Sequence, residues 1–401
     1  MGVVPRSKPH GCFLALSLLS AAVGFSAAPS AWLVPPLDGV LSGIMEPLLV
    51  PGAPEVRWEV KIDTLPAGRR NVRFRVEGQG LSAEGVARLD GRGDGEWSLE
   101  SATIDLGDWS GPILGKFAPT LTGSAAGQVR VNAVGTIRDR VPEGIFEVTL
   151  SGGSYDESAR KIFITGLALR LRARLSDLRE LRTEPGQVLS WERGGYDLLS
   201  LGAGHVEFHT GGGALHLEKA RIGVLGGELE VARASVAFNA ASFSVAARMS
   251  GVQLGELIPL LPPLLASARG RLDGRVELRS DPEGLRIESA RLALRGGETA
   301  ELRFLPTPGI ISGQLPALVR QYYPGLVQLE TGGVPLLAEQ LEVSLDAAGD
   351  EEGRTALVSI TGGPADPALR APVVLEVNVR GPLDQVVAFG THSRLRFGAG
   401  K

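Results

Sequence analysis

From about Val56 onward the chain alternates apolar and charged residues with a period of two, and few architectures accept that pattern. Val56, Trp58, Val60 and Ile62 interleave with Arg57, Glu59 and Lys61, and Val72, Phe74 and Val76 interleave with Arg73 and Arg75. Successive side chains of an extended strand point to opposite faces, so alternation marks a strand with one dry face and one wet face. The pattern returns at Val129–Val131, Phe146–Leu150, Leu167–Leu171, Val206–Phe208, Leu215–Leu217, Phe243–Ala247, Val276–Leu278, Leu302–Phe304, Leu341–Leu345 and Leu375–Val379. Glycine clusters at Gly91–Gly95, Gly152–Gly153, Gly211–Gly213, Gly226–Gly227 and Gly296–Gly297 separate the runs and predict turns. The expected fold is mostly β: an elongated, curled antiparallel sheet, an open groove or half-barrel, with one apolar face and one face rich in Arg and Glu. Two stretches break the rhythm and predict two short helices, Val252–Ala266 (VQLGELIPLLPPLLA) and Ser312–Tyr323 (SGQLPALVRQYY). The charged stretch Leu175–Gly195 reads as a helical turn or connecting loop.

Within this pattern lies an internal repeat. Gly95–Leu106 reads GEWSLESATIDL, Gly213–Val224 reads GALHLEKARIGV and Gly284–Leu294 reads GLRIESARLAL. Trp97, Leu215 and Leu285 align, as do Leu99, Leu217 and Ile287, then Glu100, Glu218 and Glu288. Ala102, Ala220 and Ala290 follow, and then Ile104, Ile222 and Leu292. The first and third copies also follow the same pentapeptide, RLDGR, at Arg88–Arg92 and Arg271–Arg275. Each unit reads as strand, Ala-containing kink, strand, and such a unit buries its apolar side only by stacking on neighbours. With strands about 4.8 Å apart, some twenty of them would extend to roughly 90 Å.

The N-terminus has a different character. Arg6 and Lys8 precede an apolar run, Cys12–Ala28, followed by Pro29 and small residues. That layout fits an exported chain whose first segment is either a cleaved signal peptide or a retained anchor. The organisation read from sequence is a signal peptide or anchor over 1–28, a linker over 29–55, an N-terminal β-groove segment over 56–194 and a C-terminal β-groove domain over 195–401. The body is expected outside the cytoplasm, and the first segment could hold it to a membrane. Cys12 is the single cysteine, so no intramolecular disulfide forms.

Chemistry-bearing motifs are sparse. The 41 basic and 45 acidic residues nearly balance, which argues against a nucleic-acid partner. No P-loop, Ser elbow or dinucleotide-binding glycine loop is present, so no catalytic residue and no cofactor is expected. His205, Glu207, His209 and His216 are the one metal-like grouping. Alternation of the first three with Val206 and Phe208 predicts a solvated face, and no metal is expected there. Asp90, Asp94, Asp273 and Asp281 adjoin Gly or Pro and read as turn residues. Tyr322 and Tyr323 suit either a water–lipid boundary or packing at a helix end. The residues expected to line an apolar groove are Leu215, Leu217, Ile222, Val276, Leu278, Leu285, Ile287, Leu292 and Leu294. An envelope protein could instead pair with the open edge of the terminal strand at Val373–Val379, which would make the chain a non-enzymatic assembly factor.

Three consecutive stretches, Gly226–Val236 (GGELEVARASV), Met249–Leu257 (MSGVQLGEL) and Ala268–Leu294 (ARGRLDGRVELRSDPEGLRIESARLAL), give the C-terminal half its likeness to known proteins. In this order they resemble the YdbH-like family of AsmA-like proteins, a domain also labelled "dicarboxylate transport". The tail Ala356–Leu383 is similar to that family's closing strands. The resemblance implies a bent β-sheet with an apolar interior, exposed to the periplasm, that carries phospholipid acyl chains between membranes. Relatives of this kind are longer and keep an N-terminal anchor.

Overall fold

Why alternation dominates this chain is plain in its computed structural model. The structure describes residues 38–45, 54–117, 122–139, 141–159, 161–175, 182–196, 199–237, 240, 242–260, 265–281, 284–309, 312–314, 316–323, 325–369 and 372–380. The apolar run Cys12–Ala28 lies outside them. Among the described residues there are 22 strands, all in one antiparallel sheet that does not close into a barrel. Strands β1–β12 are Gly39–Met45, Val56–Thr64, Arg70–Gly78, Leu81–Leu89, Gly95–Asp105, Ser124–Arg138, Val141–Glu157, Ile162–Arg174, Gln187–Trp191, Arg193–Tyr196, Leu199–Gly211 and Ala214–Val224. Strands β13–β22 are Gly227–Val231, Ala234–Ala237, Phe243–Gln253, Leu265–Arg269, Arg271–Asp281, Gly284–Leu294, Ala300–Phe304, Leu336–Asp346, Arg354–Pro364 and Val373–Arg380. Every alternating run named above falls within one of these strands.

The chain divides into two compact units. Of the described residues, unit one holds those up to Arg193 together with His205–Glu218, and unit two holds Gly194–Gly204 and those from Lys219 onward. In unit one, hairpin follows hairpin, β2 to β3 to β4 to β5 to β6 to β7 to β8. Directly opposed residues of antiparallel strands share a face. Val60 therefore stands beside Phe74, Ala83 beside Ala102, and Ala133 beside Phe146, giving one continuous buried core. The opposite face carries exposed ion pairs such as Arg75 with Glu77 and Glu84, and Arg170 with Glu147. Pairs this exposed add little stability, but they keep that face wet.

Four expectations from the sequence need correction. First, the repeat unit is one bent strand, not two. In β5, Glu84 of β4 faces Ser101 and Gly85 faces Leu99, so Glu100 is an inserted bulge residue. In β18, Glu277 faces Ser289 and Leu278 faces Ile287, which makes Glu288 the extra residue. The bulge shifts the phase, so Leu99 and Ala102, three apart, both point into the core.

Second, Gly152–Gly153 is not a turn. It is a bulge inside the 17-residue strand β7, where Gly152 takes φ +59° at little steric cost.

Third, the identical RLDGR segments fold differently. In the first, Asp90 closes a turn, accepting the N–H groups of Arg92 and Asp94 at 2.8 and 3.0 Å. In the second, Asp273 sits mid-strand in β17 and receives both Nε and a terminal nitrogen of Arg295, at 2.9 and 2.8 Å, plus the Gly251 N–H at 2.7 Å. The Arg295 hydrogen bonds hold the Asp273 carboxyl below its ordinary range. A carboxylate with a lowered folded pKa stabilises the fold above its unfolded value, and the benefit is lost as pH falls through the folded value. Asp273→Asn is thus expected to lower the thermal midpoint at pH 7, with the gap to wild type closing below the ordinary aspartate range. A gap that persists unchanged at low pH would show that the carboxylate charge is not what matters there.

Fourth, part of the stretch expected as a connector, Leu175–Gly195, forms strand β9 and most of β10.

Helices are short, and one escaped the sequence reading. Helix α1 spans Leu106–Phe117 (LGDWSGPILGKF), whose three glycines and Pro112 are poor helix formers. Packing overrides propensity there: Trp109 is 1% exposed and its indole N–H donates to the Gln79 carbonyl at 2.8 Å. The two expected helices are present but shorter than the stretches that predicted them. Helix α2 is Leu254–Leu257, continued by a 3-10 turn Ile258–Leu260. Helix α3 is Ala317–Tyr322, preceded by a 3-10 turn Ser312–Gln314 and followed by α4, Gly325–Glu330.

Candidate binding face

In unit two the strand registers assemble a single apolar surface. Ile222 of β12 stands opposite Leu229 of β13, and Leu229 opposite Met249 of β15. Val245 and Ala247 face Leu278 and Val276 of β17, and Leu278 faces Ile287 of β18. From β18 the row continues through Leu292–Val343 and Ala290–Leu345 to β20. It then passes through Val343–Val358 to β21 and Val358–Val377 to β22. Eight strands thus share one uninterrupted apolar face, about 34 Å wide at a strand spacing near 4.8 Å.

That face is unevenly covered. At one end of the strands Val252, Leu272, Leu302, Leu336 and Ala338 are almost fully buried, where α2 packs on β15 and β16 and α4 on β19 and β21. Toward the other end Phe243, Val245, Leu278, Ile287, Val343, Leu345 and Val358 are only half-buried. Large aliphatic side chains left half-wet along adjacent strands form an apolar strip that a ligand can dry. The outer face is charged, with Arg221 reaching Glu228 and Glu230, and Arg279 reaching Glu288 at 3.3 Å.

Of the nine residues expected to line a groove, five come together on β17 and β18. Val276, Leu278, Leu292 and Leu294 share the face with Ile287, while Leu285, also on β18, is placed only by its backbone pairing with Ser280. Val276 and Leu292 are buried; Leu278, Ile287 and Leu294 are half-buried. Ile222 joins the row through β12. Leu215 and Leu217 are half-buried on the part of β12 that belongs to unit one, and so stand outside this group. Sequence reasoning missed Leu229, Val245, Met249, Val343, Leu345, Val358 and Val377. The alternation named Val245, Val343, Leu345 and Val377 as strand residues, but which strands pair was not legible.

The histidines are less solvent-directed than alternation implied. His205 is exposed, whereas His209 is half-buried, its ring stacked on His216 at 4.7 Å, and its Nδ1 lies 2.9 Å from Glu218.

The model of the YdbH-like family, described as intermembrane phospholipid transport protein YdbH, matches residues 11–321. The chain belongs to the YdbH-like family. The match includes the N-terminal segment, all three repeat copies and the strands from β1 to β19. It stops before β20, so the closing strands that also resembled the family lie beyond the matched stretch. No curated protein and no solved structure matches the chain. For this YdbH-like chain, transport of lipid is the activity the family implies, and no helix among the described residues is long and apolar enough to cross a membrane.

Proposed function

We propose that this protein is an exported, periplasmic carrier that seats phospholipid acyl chains on the apolar face of unit two and so moves lipid between membranes. The observation that supports this most is the half-buried strip from Phe243 to Val358, bounded on one side by buried residues and backed by a charged outer face. Drying an acyl chain against such a strip is worth about 0.8 kcal/mol per methylene. The five strands of this strip span about 19 Å at a spacing near 4.8 Å, comparable to the roughly 15 Å of hydrocarbon in one leaflet, so an acyl chain fits across it. Polar head groups would stay at the open side, where no desolvation is required. Leu278, Ile287, Leu294, Val276, Leu292, Leu285 and Ile222 are the residues assigned to the lipid path on unit two; Leu215 and Leu217 belong to unit one and are assigned to an apolar face of that unit. The chemistry is partition, with no bond made or broken.

The test is site-specific photo-crosslinking in cells. A photoreactive residue at position 278 or 287 should capture phospholipid, whereas one at Glu277 or Arg291, on the outer face of the same strands, should not. Equal capture from both faces, or from neither, would sink the reading.

A second reading has its own observation. Among the described residues β22 pairs with β21 alone, and its Val374 is 72% exposed. That free edge suits an added strand from an envelope protein. The two readings are compatible, and the crosslinking positions separate them: 374 would capture protein, 278 lipid.

A further inference from the structure

Among the described residues, an exposed apolar surface outside the binding strip lies on α3 and α4. Leu318 is 69% exposed, Tyr322 77%, Val327 43% and Tyr323 38%, all within ten residues. Leu318 and Tyr322 are four apart on α3 and so share one helix face. This exposure is not the fraying of a loose end, because the base of the pair is pinned. Gly325, Leu326, Leu329 and Glu330 of α4 are buried. The Glu330 carboxylate accepts the Ser312 N–H at 2.9 Å and the Ser312 hydroxyl at 2.7 Å, which holds the preceding turn. The Leu326 N–H donates to the Tyr323 carbonyl at 3.1 Å, tying α4 back onto the end of α3.

Charge distinguishes this tip from the rest of the chain. Between Phe304 and Leu329 the sequence carries a single charge, Arg320, and no acidic residue, in a protein whose composition is 21% charged. An apolar patch with two tyrosines, in a segment whose one charge is basic, matches the boundary layer of a phospholipid bilayer. Phenol rings are favoured there, and a basic residue meets phosphate without repulsion. Position agrees: α4 packs on β19 and β21, over the covered end of the lipid strip.

We infer that the α3–α4 tip is a bilayer-docking surface, placing the covered end of the strip against the lipid headgroup layer. This rests on the lipid-carrying reading above and adds to it where the membrane sits. The test uses the full chain with Cys12→Ser and Gln321→Cys, an exposed position beside the patch, carrying an environment-sensitive fluorophore; Glu352→Cys is the control. Vesicles of phosphatidylethanolamine and phosphatidylglycerol, brominated near the glycerol, are the probe. The label at 321 is expected to shift to shorter wavelength and lose roughly half its intensity to the bromines, as a shallowly inserted group does, while the label at 352 stays unchanged. Leu318→Ser with Val327→Ser should abolish the response at 321 and leave co-purified lipid intact. A label at 321 that vesicles leave unmoved overturns the docking surface. A label that becomes shielded on concentrating the protein without vesicles overturns it too, in favour of a second copy of the chain. Failure of the lipid-carrying reading has a separate signature, loss of lipid crosslinking at 278 with the response at 321 unchanged.

Discussion

A Leu278→Asp, Ile287→Asp variant is expected to purify without bound phospholipid while keeping a near-wild-type thermal midpoint. The two side chains face each other across β17 and β18 and are half-buried, so each carboxylate keeps access to water in the empty protein. With an acyl chain lying over them that access is gone. A carboxylate in hydrocarbon costs about 2.5–3.5 kcal/mol, so each substitution lowers lipid occupancy by on the order of a hundredfold. The contrast with Leu272, which is 0% exposed on the same strand face, is the informative part. Leu272→Asp buries a charge in the empty protein and should unfold unit two, confusing loss of ligand with loss of fold. Arg291→Asp, on the outer face of β18, should leave the lipid in place. Native mass spectrometry and organic phosphorus in the extracted protein read the outcome. Undiminished phospholipid on the folded double variant would remove the β17–β18 row from the lipid path.

Much of this architecture was legible because the period-two signal depends only on neighbouring residues. Val56–Ile62 or Leu341–Leu345 declares a strand and its dry side without reference to any partner. What alternation cannot carry is register. The bulge at Glu100 or Glu288 flips the phase of everything beyond it, and the reading of a kink between two strands caught the irregularity but not its form. The twin RLDGR segments make the same point. Asp90 found backbone N–H donors in its own turn, whereas Asp273 found Arg295 across a strand pair, and only tertiary pairing decides between them. Helix α1 was hidden for another reason. Its glycines and Pro112 suppress the helical signal, and the burial of Trp109 that compensates is invisible until the sheet beneath it exists. The candidate face shows the same division. Leu278 and Ile287 could be named from their repeat, but the row running on through Val343, Val358 and Val377 required knowledge of which strands are neighbours.

The repeat also carries the largest stability effect. Trp97 occupies the place that Leu215 and Leu285 hold in the other copies, and in the first copy that place is closed over. The ring is 6% exposed, lies 6.1 Å from Phe146 at 53° and donates its N–H to the Glu143 carbonyl at 3.2 Å. Gly135 and Gly144 make the room: a Cβ on Gly135 would fall 2.7 Å from the indole nitrogen, and one on Gly144 2.8 Å from the six-membered ring. Because the floor beneath Trp97 is backbone, it cannot collapse into the hole that Trp97→Ala leaves. The expected loss is therefore at the upper end for aromatic truncations, about 3–5 kcal/mol, read as a lower urea midpoint. Trp97→Phe keeps most of the volume and gives up the hydrogen bond, and should cost nearer 1 kcal/mol. Trp97→Leu, which copies the other repeats, should fall between them. The order Ala, Leu, Phe tests whether the first repeat copy is a filled core while the third floors an open strip. A Trp97→Ala variant that loses less than about 1 kcal/mol would mean that the Trp97 site is as open as the half-buried positions of β18, and unit one would then offer a lipid path of its own.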